Sequence, residues 1–422
     1  MSFDITISWD EIRQNRDKYV LATYVLDGPK GSFDRAEMFE AGRQLAIGQS
    51  VGNPNVRSVW ETDDLFENYS ARIVVDSPFT TSTSGGPLGF REISSETEVT
   101  IAFPVVNTDW EDDGISHLLC QVMGGQLDID VVSKCHLVKL SIPQWIKDKH
   151  FGKPAMGITG LRRRTGRVDK PFLGGIIKPK TGITPQILLE MTKELVEGGV
   201  DFIKEDEILS NPAFCPLKDR VPLIAEYLDK VGYKGIYNFC INADPHAILK
   251  RASFVAQNSG PECGVHINFW SGMGVYNSVR KENPNLFIHF QKSGDKILTG
   301  ADHKFHISWS VIQQLAAMMG VDSIHSGMIG GYMPDEEKQV LDDVSMLVKH
   351  NVIPALSCGM NPGLVDYIVK RAGHDWLANV GGALHGHPRG TKAGTQAMRQ
   401  AIDGTHGSEF IDAIKTWGYR KA

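Results

Sequence analysis

The sequence predicts an α/β protein: a C-terminal (β/α)8 TIM barrel preceded by a small N-terminal α+β (ferredoxin-like) domain. Three observations carry this prediction. Short apolar runs alternate with amphipathic helical stretches from Phe172 onward. Pairs of a capping side chain and a proline mark helix starts at Thr184-Pro185, Asp244-Pro245 and Asn361-Pro362. Unusual polar residues crowd the ends of the strand runs, where barrel enzymes build their sites.

At about 150 residues per domain, the length implies two domains. Residues 1–150 read as the α+β unit. Strands are expected at Tyr19–Leu26, Ala71–Val75, Glu98–Val106 and His136–Ile142, and helices at Ser32–Ile47 and Ile115–Met123, with an irregular Gly/Ser/Thr-rich stretch over Asp76–Gly89. A basic stretch, Gly160–Lys170, leads into residues 151–422, the barrel with a C-terminal helical extension. Its eight strands are expected at 172–178, 201–206, 235–242, 264–270, 286–290, 322–327, 353–358 and 377–382. Near-continuous apolar character means burial on both faces. Eight βα units favour a closed barrel over an open doubly wound sheet.

Composition excludes several classes of function. With 44 Lys+Arg against 50 Asp+Glu the formal charge is −6 and no basic cluster stands out, so neither nucleic acid nor an anionic membrane is an expected partner. No apolar run approaches the roughly 18 residues of a membrane span, and the acidic start MSFDITISWDEI is no export signal. Six cysteines without a CxxC pair suit neither a disulfide framework nor a zinc knuckle. The expectation is a soluble, cytoplasmic protein.

The chemistry is expected at five strand ends. The first ends in Lys178-Pro179-Lys180 and the second in Lys204-Glu205-Asp206-Glu207; the sixth, seventh and eighth end in His325-Ser326-Gly327, Ser357-Cys358-Gly359 and Gly381-Gly382. Strand alternation turns Lys204 and Asp206 to the same side, with Glu207 over the rim. Two carboxylates beside a lysine suit a hard cation such as Mg²⁺, which takes oxygen ligands. A plain ion pair between Lys204 and Glu205 or Asp206 is the competing interpretation, and a CO₂ carbamate on Lys204 is a third. Gly359, Gly381 and Gly382 offer backbone N–H donors to a phosphate, with Ser357 adding a hydroxyl. Taken singly, each feature has a bland explanation: an ion-paired lysine, a core histidine, a turn glycine.

In this order the segments GGIIKPKTG (174–182), GGVDFIKEDE (198–207), IHSG (324–327), ALSCG (355–359) and NVGGALHGHPRG (379–390) resemble the large-subunit family of ribulose bisphosphate carboxylase. The resemblance implies Lys204 as a carbamylated ligand, with Asp206 and Glu207 completing a Mg²⁺ site. It also implies Lys178 as acid or base supported by Lys180, His325 as a substrate contact, and Ser357, Gly359, Gly381 and Gly382 around a hydroxyl and one phosphate. A homodimer or a multiple of dimers follows from the same likeness, the N-terminal domain of one subunit covering its partner's barrel mouth.

Three departures shape the expected function. Tyr332 follows Gly331 where the carboxylases carry a mobile-loop lysine, and a phenol supplies no fixed positive charge. Lys292 replaces the arginine that helps hold the second phosphate, as a point charge. In the N-terminal domain, Gly48-Gln49-Ser50 and Gly125 stand where the family has a Glu-Ser-Ser segment and an asparagine. The pattern resembles a form IV RuBisCO-like protein acting on a phosphorylated small molecule without fixing CO₂. Enediolate chemistry on a monophosphorylated keto-sugar or keto-sugar acid is expected. The intact Lys178 favours the 3-oxo-isoapionate-4-phosphate decarboxylase or hydrolase type. The alternatives are a methylthioribulose-1-phosphate isomerase, a diketo-methylthiopentyl-phosphate enolase, or a retired enzyme serving as a scaffold or regulator.

Overall fold

The computed structural model describes residues 3–28, 31, 35–75, 90–93, 96–130, 132–332 and 335–421. The stretch 76–89 and the expected helix start at 32–34 lie outside them. The chain divides into two compact units, Met1–Phe151 with Gly294–Leu315, and Gly152–Ser293 with Ala316–Ala422.

The first unit is built on a mixed sheet. Its strands are β1 (Thr6–Ser8), β2 (Tyr19–Asp27), β3 (Arg72–Val75), β4 (Phe90–Ile93), β5 (Glu96–Pro104) and β6 (Lys134–Ser141). The order β3-β5-β2-β6, antiparallel throughout, with helices Arg35–Gly48 and Gly114–Val122 after β2 and β5, is the ferredoxin-like split βαβ arrangement. Both faces of β2 are covered: Val20, Ala22, Tyr24 and Leu26 are under 3% exposed, and Leu21 on the other face packs with Ile7, Ile12, Val74 and Ala102.

The second unit is a closed parallel barrel. Its strands are β7 (Phe172–Ile176), β8 (Phe202–Lys204), β9 (Ile236–Cys240), β10 (Cys263–Asn268) and β11 (Phe287–Gln291), followed, after β12 (Phe305–Ile307), by β13 (Ser323–Gly327), β14 (Ile353–Leu356) and β15 (Leu377–Val380). All eight expected barrel strands are present. β12 is the exception to the sequence-based layout. The segment Gly294–Leu315 leaves the barrel succession after β11 and adds β12 in parallel to β6, with His306 opposite His136.

The barrel floor is apolar. Phe172, Phe202, Ile236, Phe287, Ile353 and Leu377, each the first residue of its strand, cluster with Ile158 and Leu161 of helix Gly157–Thr165. Burying such side chains contributes about 1.5–3 kcal/mol each. The expected basic stretch is thus the polar side of a helix whose other side fills the floor. Thr184 caps its helix by accepting from Ile187 N, and Asn361 caps a short 3-10 turn through Gly363 N, whereas Asp244 makes no capping bond. Among the described residues no helix is long and apolar enough to cross a membrane.

Close strand packing yields a first prediction. A Cβ on Gly264 in β10 would stand 2.6 Å from the Phe287 carbonyl oxygen and 2.7 Å from its Cβ. Backbone cannot yield as a side-chain tip does. Gly264→Ala is expected to cost about 1–3 kcal/mol by overpacking, read as a lower denaturation midpoint; an unchanged midpoint would show that the strands can separate freely.

Candidate active site

The chain running out of β8 keeps the alternation of sides beyond Lys204. Glu205, fully buried, turns away from the barrel axis and is saturated there. It accepts from Arg220 Nε and Nη2 at 2.8 and 2.9 Å, from the Tyr237 hydroxyl at 3.2 Å and from Cys240 N at 2.7 Å. That bidentate pair explains why an acidic residue tolerates zero exposure. Glu205 is a structural anchor, and the local partner of Lys204 is a different residue.

Lys204 and Asp206 are each 1% exposed at the strand's C-terminal end. Lys204 Nζ lies 3.8 Å from Glu207 Oε2 and donates to the Glu205 carbonyl at 3.3 Å. Lys178, at the end of β7, donates from Nζ to Asp206 Oδ2 at 2.5 Å. Glu207 accepts from the Ser293 hydroxyl at 2.7 Å, which in turn accepts from Gln291 Nε2 at 2.7 Å. Two ammonium groups and two carboxylates therefore interleave on the rim.

Burial fixes their electrostatics. Removal from water lowers the Lys204 pKa; Glu207 and Asp206 oppose that shift, and Lys178 adds to it. Burial pushes the Glu207 carboxyl up, but the Lys204 charge, the Ser293 hydroxyl and a backbone bond outweigh it and hold it at about 2. His325 is pushed down to about 3 by burial, then by Lys204. It is neutral, and Asn379 Nδ2 donates to its Nε2 at 2.6 Å, which leaves Nδ1 as the protonated nitrogen. Beneath lie further buried polar atoms without a partner among the described residues: both ring nitrogens of His266, His289 Nε2, Asn238 Oδ1 and Asn379 Oδ1.

The remaining predicted residues divide. A Cβ on Gly381 would lie 3.5 Å from Lys178 Cε, so that glycine stands beside the lysine, and nothing lies within 4 Å of the same position on Gly382. Ser357 is buried, with its hydroxyl 3.7 Å from Cys358 Sγ. Cys358 and Gly359 both adopt positive φ, 74° and 100°. The Tyr332 ring packs on Gly359, where a Cβ would meet it at 2.7 Å. Lys292 Nζ lies 3.9 Å from Asp335 Oδ1, so a carboxylate already faces the cation proposed for phosphate. Lys180 stands exposed and forms no ion pair among the described residues.

Sequence reasoning missed Ser293, Asn379 and Arg220. Asn379 had a signal: it lies one residue before Val380 on a strand whose alternate positions face inward. Ser293 and Arg220 had none, since their partners are 86 and 15 residues away and set by the fold.

A closed parallel barrel with lysines, carboxylates and glycines gathered at its strand C-termini defines the barrel class that works through its βα loops. The family description "Ribulose bisphosphate carboxylase large chain, catalytic domain" matches residues 157–417. The chain belongs to the ribulose bisphosphate carboxylase large-chain family, and its relatives include RuBisCO-like proteins. It is 32% identical over 378 residues to a 3-oxo-isoapionate-4-phosphate decarboxylase of Rhizobium etli, covering 85% of this chain and 88% of that one. It is 30% identical over 338 residues to a ribulose bisphosphate carboxylase of Archaeoglobus fulgidus, covering 72% and 74%. The crystal structure of a rubisco-like protein from Burkholderia fungorum superposes with a TM-score of 0.76 at 25% identity, covering 94% of this chain and 99% of that one.

Proposed function

We propose that this chain is a RuBisCO-like enzyme that generates an enediolate from a monophosphorylated keto-sugar or keto-sugar acid, with decarboxylation or hydrolysis of a 3-oxo-isoapionate-4-phosphate-type substrate as its reaction. The observation that carries the proposal is the interleaved Lys178–Asp206 and Lys204–Glu207 groups beside Gly381. The decarboxylase relative from Rhizobium etli supports the substrate class.

Among the described residues no group of three His, Cys, Asp or Glu side chains is arranged to hold a metal. Asp206 and Glu207 supply two carboxylates, and the third oxygen donor is Lys204 once its amine carries CO₂ as a carbamate, which converts a cation into an anion. With that change the donors fit Mg²⁺. The ion would supply a Lewis acid for the developing oxyanion.

The chain's own groups do the rest. Lys178, ion-paired with Asp206, is the group proposed to deliver or take the proton at the reacting carbon. His325 is a neutral donor through Nδ1, held by Asn379. The backbone N–H groups of Gly359, Gly381 and Gly382, with the Ser357 hydroxyl, take the single phosphate. Tyr332 replaces the positive charge that a carboxylation product needs, so CO₂ fixation is absent from the proposal. The protein is further proposed to act as a cytoplasmic homodimer or multiple of dimers, the N-terminal domain of one subunit covering its partner's site.

Incubation in D₂O with a panel of keto-sugar and keto-acid phosphates, in Mg²⁺ and bicarbonate, tests this. Expected are CO₂ release from the 3-oxo acid phosphate and one deuterium in the product. Exchange without CO₂ release points instead to the isomerase or enolase reaction. Binding and exchange that ignore both Mg²⁺ and bicarbonate refute enzymatic use of the rim.

A further inference from the structure

In the barrel unit, the loop after β8 and the helices Leu217–Lys230 and Pro245–Asn258 line an open surface cleft of about 580 Å³. That volume lies within the roughly 300–1,000 Å³ of small-molecule sites. Lys218, Lys250 and Arg251 line it together with Pro216, Leu217 and Phe254, and no carboxylate does. None of the three cations has an ion pair among the described residues. In a chain of net charge −6, three unpaired cations at one cavity need a reason.

Arg251 is held in position. Its Nη1 donates to the Ser210 hydroxyl at 3.0 Å and to the Asn242 carbonyl at 2.7 Å, while Nε and Nη2 carry no bond among the described residues. The Nε–Nη2 edge is the fork that pairs bidentately with phosphate or carboxylate oxygens. A guanidinium fixed beforehand through its other nitrogen loses little freedom on binding.

We propose that this cleft is a second ligand site, separate from the barrel mouth, for an organic phosphate. The phosphate sits between Lys218, Lys250 and the free edge of Arg251, and an apolar body lies against Phe254 and Leu217. A phosphate ester brings a charge of about −1.5 to −2, a better match to three cations than a single carboxylate. The apolar lining selects an ester over the free ion.

Calorimetric titration of the full chain with phenyl phosphate, inorganic phosphate and phenol tests the proposal, with soaked crystals locating the probe. Phenyl phosphate is expected to bind at least about tenfold more tightly than inorganic phosphate, a difference of ~1.4 kcal/mol, and phenol not at all. The double variant Lys218→Glu/Lys250→Glu changes two exposed side chains outside the rim. It is expected to lose this binding while deuterium exchange into the sugar phosphate is unchanged. Phenyl phosphate binding that is equal in wild type and variant overturns the site, as does no binding at millimolar concentration. Equal affinity for phenyl and inorganic phosphate overturns the apolar half of it.

Discussion

A Lys204→Met variant is expected to fold, to bind sugar phosphate, and to turn over about 1000-fold more slowly, a loss of ~4 kcal/mol of transition-state stabilisation. Methionine keeps the length and apolar stem of a side chain that is 1% exposed, so packing is largely preserved. What it removes is the Lys204 amine, the group proposed to carry CO₂ as the third oxygen donor beside Asp206 and Glu207. The same reasoning gives a pH dependence for the wild type. Only the uncharged amine attacks CO₂, and burial lowers the Lys204 pKa, so the amine is present at lower pH than on a free lysine. Activation by bicarbonate and Mg²⁺ is therefore expected to strengthen as pH rises and to fade as the amine protonates. The check is the rate after preincubation across pH, in wild type and Lys204→Met. Undiminished turnover in the variant, or activation that is flat with pH, removes the carbamate from the mechanism.

How far the sequence reveals this protein depends on the range of the interaction. The barrel strands were legible because each is a short apolar run bounded by turn chemistry, and β7 to β15 apart from β12 fall where that pattern puts them. β12 was not legible. It is three residues long, its burial pattern is exposed to intermediate, and its identity as a strand comes from pairing with β6. Helix Gly157–Thr165 was hidden by the consecutive arginines 162–164, although Ile158 and Leu161 sit one turn apart and are both buried.

The rim shows the same division. Lys204, Asp206 and Glu207 are neighbours in sequence, and alternation alone relates them. Lys178 meeting Asp206 spans 28 residues and Asn379 meeting His325 spans 54, so only closure of the barrel reveals those bonds. Glu205 could not be told from Asp206 by composition. Its role depends on Arg220 from the following helix, which claims it from the opposite side of the strand.

That claim makes Arg220→Met the variant with the largest expected loss of stability, about 3–5 kcal/mol. Arg220 is 0% exposed, and besides the two bonds to Glu205 it donates to the carbonyls of Cys215 and Cys240, at 2.5 and 3.2 Å, and to that of Ser210. Removing it strands a carboxylate that is also 0% exposed, its negative charge left, among the described residues, with the Tyr237 hydroxyl and Cys240 N. Desolvation then acts without compensation. The double variant Glu205→Gln/Arg220→Met keeps the shape and removes the charge, so it is expected to recover a large part of the loss in chemical denaturation. The distinction matters for the site, because the segment that follows β8 carries Glu205 directly into Asp206 and Glu207. A positioning role predicts that turnover in the double variant returns along with stability. If stability recovers and turnover does not, the Glu205 charge itself acts on the rim, and its assignment as an anchor fails.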